Sequence, residues 1–80
     1  MTWNDAKKEV LKKLIADKGL RVTALSFQAG KNRNFLTRVF TGERKSISDD
    51  EIDLFAPYLG VTVLEVTRLA QEIIQFWQYK

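Results

Sequence analysis

Residues 19–42 read GLRVTALSFQAGKNRNFLTRVFTG and contain the most informative pattern in the chain. It predicts a short helix that ends at Gly30 and a second helix that is capped by Asn32 and ends at Gly42. The apolar positions are Leu25 and Ala29 in the first helix and Phe35, Leu36, Val39 and Phe40 in the second. Two short helices around a glycine-containing turn have the spacing of a helix-turn-helix, which we place at about residues 22–41.

Three further helices are predicted around this pair. Apolar residues at helical spacing predict one over roughly residues 4–18, with its lysines on the opposite, solvated face. The Ser48 and Glu51 spacing is that of a capping box, and it predicts the start of a helix that ends at Gly60. Pro57 should bend this helix or end it early. A second box at Thr62 and Glu65 opens a last helix over about residues 62–79. The chain is therefore expected to be all-α, a compact bundle of about five short helices in one domain, residues 1–80.

Composition excludes several classes of function. The 80 residues are 45% hydrophobic and contain no Cys and no His, so they offer no disulfide, thiol or imidazole chemistry and no usual zinc ligands. The start lacks a signal-peptide core, and no stretch approaches the roughly 18 apolar residues of a membrane span. We expect a small cytoplasmic protein without a membrane partner, not an enzyme.

One acidic cluster is a candidate cation site. Asp49, Asp50, Glu51 and Asp53 could bind a divalent cation in principle. They also coincide with a predicted helix start, where carboxylates are explained by capping and by the helix dipole. The expectation is therefore no metal and no cofactor.

Charge is unevenly distributed along the chain. Residues 18–45 carry seven Lys and Arg against one acid, Glu43, whereas residues 46–80 carry two basic residues against six acids. A segment this basic in an otherwise balanced chain is expected of a protein that binds a polyanion. A solvated basic face without a partner is the alternative that charge alone leaves open.

An ordered set of motifs supports the polyanion interpretation. The set consists of Gly19-Leu20, Gly30, Gly42, Glu43-Arg44-Lys45 and Leu59-Gly60-Val61. In this order and spacing, over roughly residues 6–77, the chain resembles the phage-repressor-type helix-turn-helix regulators, the lambda repressor- and Cro-like family. The resemblance implies a lambda repressor-like fold and double-stranded DNA as the partner. Arg21-Val22 departs from the family, which usually has Thr or Ser and then a DNA-contacting Gln there, and Lys31 replaces an apolar turn residue.

Side-chain types and helical geometry single out candidate DNA contacts. If Leu36 and Val39 face the core, the opposite side of the helix meets base edges in the major groove. The predicted base contacts are Arg33, Asn34, Thr37 and Arg38. The predicted phosphate contacts are Arg21, Lys31, Asn32, Thr41, Arg44 and Lys45. Phe35 is left open between a thymine methyl contact and packing against the preceding helix, with packing favoured.

The last helix carries more apolar residues than one core-facing stripe needs. Leu69, Ile73 and Phe76 fill that stripe, which leaves apolar side chains on a neighbouring face. In lambda repressor-like members this helix packs against its two-fold mate, so the resemblance implies a homodimer here. The predicted interface comprises Ala70, Ile73, Ile74 and Trp77. In the alternative, Phe76 and Trp77 fold over the core of a small monomer.

Two hypotheses of function remain. The first is a sequence-specific DNA-binding regulator, most simply a dimeric phage or bacterial repressor. The second is a helix-turn-helix module, similar to antitoxins or phage accessory proteins, whose main target is another protein. Such a module would bind its target through the C-terminal helix. A steep salt dependence of binding would distinguish the first from the second.

Overall fold

The computed structural model describes the backbone of residues 2–78 and the side chains of residues 2–76. This part of the chain contains five helices and no strand. They are α1 (Trp3–Asp17), α2 (Val22–Gln28), α3 (Phe35–Thr41), α4 (Asp49–Leu59) and α5 (Val63–Gln78). The prediction of an all-α fold with about five helices is confirmed. None of the described helices has the length and apolar character needed to cross a bilayer.

Side-chain caps begin three of the helices. Ser48 and Glu51 form the predicted capping box at α4, in which each side chain accepts the other residue's backbone N–H. The Thr62 hydroxyl accepts the Glu65 N–H at 3.2 Å, as the sequence indicated for α5. A further box begins α1, where the Thr2 hydroxyl accepts the Asp5 N–H. Serine and threonine spacing therefore sets where these helices begin.

The turn after α2 directs the chain into α3. Gly30 has a φ of +82°, which a residue with a Cβ rarely adopts. The Lys31 N–H then bonds the Ser26 carbonyl at 3.0 Å and the Gly30 N–H bonds the Phe27 carbonyl at 3.0 Å, the pattern of a Schellman motif. The Tyr58 hydroxyl of α4 donates to the Gln28 carbonyl at 3.0 Å and holds the end of α2 in place.

Pro57 does not end α4 early, which was one of the two effects expected of it. The helix continues through Pro57 to Leu59. Pro57 has no N–H to donate to the carbonyl four residues earlier, so the helix loses that one hydrogen bond and still continues. Burial of Leu59 at 1% exposure supports the final turn.

The core lies between α1 and α5 and continues under α2, α3 and α4. Its fully or almost fully buried apolar residues are Ala6, Val10, Leu11, Ile15, Leu25, Leu36, Val39, Ile47, Ile52, Phe55, Leu59, Val66 and Ala70. Thirteen apolar residues from all five helices and one loop thus form a single cluster. The outer side of α3 is left to solvent.

Lys7 is buried, although the sequence analysis placed the lysines of α1 on a solvated face. Its side chain is 8% exposed and its Nζ donates to the Ile47 carbonyl at 3.0 Å. The Asp49 carboxylate lies 4.0 Å away. The lysine therefore links α1 to the loop before α4. It also gives the Ile47 carbonyl a hydrogen bond in place of the one that burial removes from water.

Candidate nucleic-acid interface

Helix α3 begins at Phe35, later than the predicted start at Asn32. The Asn32 side chain accepts the Asn34 N–H at 2.9 Å, and the Asn32 carbonyl accepts the Phe35 N–H at 2.9 Å. Asn32 thus closes a turn ahead of the helix instead of capping it. The base-contact candidates Arg33 and Asn34 consequently lie in this turn, at the mouth of the helix.

Ser26 joins the two helices of the motif. It is fully buried, and its hydroxyl donates to the Val22 carbonyl at 2.9 Å and accepts the Leu36 N–H at 3.3 Å. The first N–H groups of any helix lack intrahelical partners, so Ser26 supplies an acceptor that α3 needs.

The four base-contact candidates are all exposed, while Leu36 and Val39 are fully buried on the opposite side of α3. Their predicted accessibility therefore holds; contact with bases stays a prediction. Arg38 also has an intramolecular partner, since its Nε lies 3.8 Å from a Glu43 carboxylate oxygen. Both side chains are more than half exposed, so water weakens this pair and Arg38 can exchange it for another acceptor.

The phosphate-contact candidates fall into two groups. Arg21 and Lys45 are exposed, and Arg21 and Arg33 line one shallow groove along α2, which brings the two guanidinium groups to the same surface. The others already have partners within the chain. The Asn32 side chain accepts the Asn34 N–H, the Thr41 hydroxyl donates to the Arg38 carbonyl at 3.3 Å, and Lys31 and Arg44 have the contacts described below.

Phe27 is a surface residue that the sequence analysis missed. It is 69% exposed and lines the same groove as Arg33. A signal for it was present, because Val22, Leu25, Ser26 and Ala29 follow the i, i+3, i+4, i+7 pattern of a buried face, and Phe27 falls outside it.

Phe35 has a packing role, the favoured alternative, and its ring stacks on α4, a partner that the sequence did not indicate. Its ring stacks on that of Phe55 with centroids 5.8 Å apart and planes at 20°. The Lys31 Nζ lies 5.2 Å and the Arg44 guanidinium carbon 4.7 Å from the Phe35 centroid, both within range of a cation–π interaction. Arg44 Nη1 also lies 2.7 Å from a Glu51 carboxylate oxygen. We call these five residues the Phe35 cluster.

The family follows from a comparison with protein-family models. Residues 10–72 match the model of the Cro/C1-type helix-turn-helix DNA-binding domain. The chain belongs to this family. The resemblance inferred from the glycine spacing is thereby confirmed, and the family's DNA-binding function agrees with the exposed basic surface around α3. No curated protein matches the chain, and no solved structure matches it.

Glu51 has an altered acidity within this Cro/C1-type domain. Burial raises the pKa of its carboxyl, but hydrogen bonds from the Ser48 backbone N–H and hydroxyl and the ion pair with Arg44 outweigh it. The net result is a pKa below the usual value. Asp5 likewise has a lowered pKa, caused first by its hydrogen bonds with Thr2.

These lowered pKa values predict acid destabilisation. A group whose pKa is lower in the folded chain contributes stability above its ordinary pKa, near 4.5 for Glu51, and that contribution disappears as the pH falls through the folded-state pKa. We therefore expect the free energy of unfolding to fall below about pH 4.5. The Glu51→Gln variant should show a shallower fall when urea midpoints are measured from pH 7 downwards. Identical profiles for variant and wild type would contradict the role of Glu51.

The C-terminal helix needs a revised assignment. Ala70 is fully buried in the core of the single chain. The prediction that it lies on the exposed interface face is therefore wrong. Its small side chain lies on the side of α5 that packs inward. Phe76, assigned to the core stripe, is 60% exposed. Ile73 and Ile74 are half-buried, and the Trp77 side chain lies outside the described residues. A mostly apolar groove between α1 and α5 is lined by Val10, Leu14, Leu69, Ile73 and Phe76, with Lys13, Asp17 and Glu72 at its rim.

Two of the four acidic residues at the start of α4 have partners within the chain. Glu51 caps the helix and pairs with Arg44, and Asp49 lies beside Lys7. Within residues 2–78 no group of three acidic side chains is placed to hold a metal ion. The capping explanation of this cluster agrees with these contacts.

Proposed function

We propose that this Cro/C1-type domain is a sequence-specific regulator of transcription that binds double-stranded DNA, most simply as a dimeric repressor. The observation that supports the proposal is the exposure of Thr37 and Arg38 on α3 and of Arg33 and Asn34 in the turn that leads into it. From residue 18 to residue 42 the chain carries no acidic residue, whereas an indifferent surface usually mixes both signs. The site of action would be the cytoplasm of a bacterial or phage-infected cell.

The side chains just before the N-terminus of α3 carry hydrogen-bonding groups that match base edges in the major groove. Arginine can donate two hydrogen bonds to the acceptors of one guanine, and asparagine can pair with adenine through a donor and an acceptor. Arg33 and Asn34 precede the first turn of α3, the end of a helix that approaches base edges when it lies in the groove. Arg21, Asn32 and Lys45 then supply donors to phosphates on either side.

Dimerisation is part of the proposal and uses α5. The apolar groove between α1 and α5, with Ile73 at its wall and Ile74 beside it, is the surface we assign to a second copy. Lys13 and Glu72 at its rim have opposite charges and could pair across a two-fold axis. Such a dimer would present two α3 helices to major grooves about 34 Å apart on an inverted repeat.

Selection of binding sites from a random duplex pool tests the proposal. Purified protein is used at two salt concentrations, since phosphate contacts make affinity fall as salt rises. We expect an enriched inverted repeat with half-sites about one helical turn apart. Enrichment of a single half-site would retain the DNA-binding function and contradict the dimer.

A protein partner is the second candidate function. The exposed ring of Phe27 on α2, which lines the same groove as Arg33, favours a protein partner. An exposed aromatic residue often marks a protein contact. Absence of any enriched sequence, with only salt-sensitive background binding, would contradict the regulator. That outcome would turn attention to this surface and to the groove along α5.

A further inference from the structure

We propose that Arg44 is a positioning residue that fixes α3 on α4, and that it specifies DNA sequence indirectly instead of contacting a phosphate. The proposal rests on the proposed DNA-binding function and reassigns one of its residues. Arg44 contacts three residues on two helices: Phe35 at the start of α3, Arg38 within α3, and Glu51 in the first turn of α4.

The contacts brace α3 at two points. The Arg44 guanidinium carbon lies 4.7 Å from the centroid of the Phe35 ring. The Arg44 backbone N–H donates to the Arg38 carbonyl at 3.0 Å, one turn further along the helix. Phe35 directly follows the Arg33 and Asn34 turn, and Arg38 is itself a base-contact candidate. Any substitution keeps this backbone bond, so replacing the Arg44 side chain removes only its contacts with Phe35 and Glu51. We therefore expect such a change to shift Phe35 and the turn that directly precedes it.

The partner of Arg44 is itself held in place. One Glu51 carboxylate oxygen accepts the Ser48 N–H and hydroxyl, each at 3.0 Å, and the other lies 2.7 Å from Arg44 Nη1. The Glu51 side chain is only 14% exposed, so water screens this pair less than it screens the open Arg38 and Glu43 pair. A guanidinium group that already makes a short, partly buried ion pair gains little free energy by exchanging it for a phosphate contact.

The neighbouring Lys45 provides the matched comparison. It is exposed and adjacent in sequence, and no salt bridge connects it to an acid in the described part of the chain. A lysine of this kind contributes to binding as a mobile charge near the DNA backbone. Arg44 and Lys45 should then act differently, although the basic stretch presents them as equivalent.

The experiment compares Arg44→Gln, Glu51→Gln and Lys45→Gln. Affinities are measured for the selected site and for a scrambled duplex at several salt concentrations. A lost phosphate contact lowers the slope of log affinity against log salt by about 0.9 for all sequences. We expect this for Lys45→Gln, with an unchanged ratio of specific to nonspecific affinity. For Arg44→Gln we expect an unchanged salt slope. We also expect a roughly tenfold lower ratio of specific to nonspecific affinity, which is the effect of misplacing one base contact.

Glu51→Gln separates positioning from charge. Glutamine retains the capping hydrogen bonds, so α4 should still form, but it loses the ion pair with Arg44. It also makes the protein more positive, which by itself favours DNA. A lower ratio in this variant, and no further loss in the double variant, would show that the two residues act as a pair. A slope reduced by about 0.9 in Arg44→Gln, or a wild-type ratio in Glu51→Gln, would overturn the proposal.

A measurement without DNA keeps the inference distinct from the proposed function. Backbone amide chemical shifts of residues 34–38 in the free protein should change in Arg44→Gln and Glu51→Gln and stay at wild-type values in Lys45→Gln. Unchanged shifts in the first two variants would refute the bracing role whatever the DNA result. A wild-type protein with no sequence preference would instead refute the regulator.

Discussion

Replacement of Ser26 by alanine should destabilise the domain by about 1–3 kcal/mol, the cost of leaving a buried hydrogen-bonding group without its partner. The Ser26 hydroxyl is the acceptor for the Leu36 N–H, and both residues are fully buried, so water cannot replace it. Alanine is a better helix former than serine, which offsets a few tenths of a kcal/mol. The remainder is lost at the junction of α2 and α3.

Thermal unfolding measures this effect. For a domain of this size, each kcal/mol lowers the midpoint by roughly 4–8 °C. Thr23→Ala is the control, because it removes a hydroxyl from the exposed side of the same helix and gains helix propensity in the same way. We expect the control to remain close to wild type. A Ser26→Ala midpoint equal to that of the control would show that Leu36 does not depend on the hydroxyl.

The sequence predicts those features of the fold that depend on neighbouring residues. Gly30 and the Ser48 and Glu51 pair each end or begin a helix through contacts within six residues, so spacing alone reveals them. The exposed face of α3 is predictable for the same reason, because burial of Leu36 and Val39 fixes the opposite side.

Long-range partners are what sequence spacing does not reveal. Lys7 is indistinguishable from its neighbours on α1 until the loop carbonyl of Ile47 is placed beside it, 40 residues along the chain. Arg44 belongs to a basic stretch, and only the packing of α4 shows that Glu51 holds it. Ala70 was misplaced because an apolar stripe on α5 has no orientation until α1 packs against it.

Loss of both Arg33 and Asn34 should have the largest effect on DNA recognition. Each bidentate contact between a side chain and a base edge is worth about 1–3 kcal/mol of discrimination against the wrong base. The two residues precede α3 in a turn that Asn32 closes through its side chain, so their backbone stays in place when the side chains are cut back to alanine. Affinity for the selected site should fall, on these figures, by roughly 30-fold to about 20,000-fold, toward that for a scrambled site.

Competition binding with the selected and scrambled duplexes measures that ratio. Arg68→Ala is the matched control for charge, since Arg68 is exposed on α5 and lies outside the basic segment of residues 18–45. We expect it to retain the wild-type ratio. Arg33→Ala alone should relax preference at one base pair and Asn34→Ala at another, whereas a general weakening would mark a phosphate contact. If the double variant keeps its full selectivity, bases are contacted from elsewhere on α3, and Thr37 and Arg38 become the residues to test.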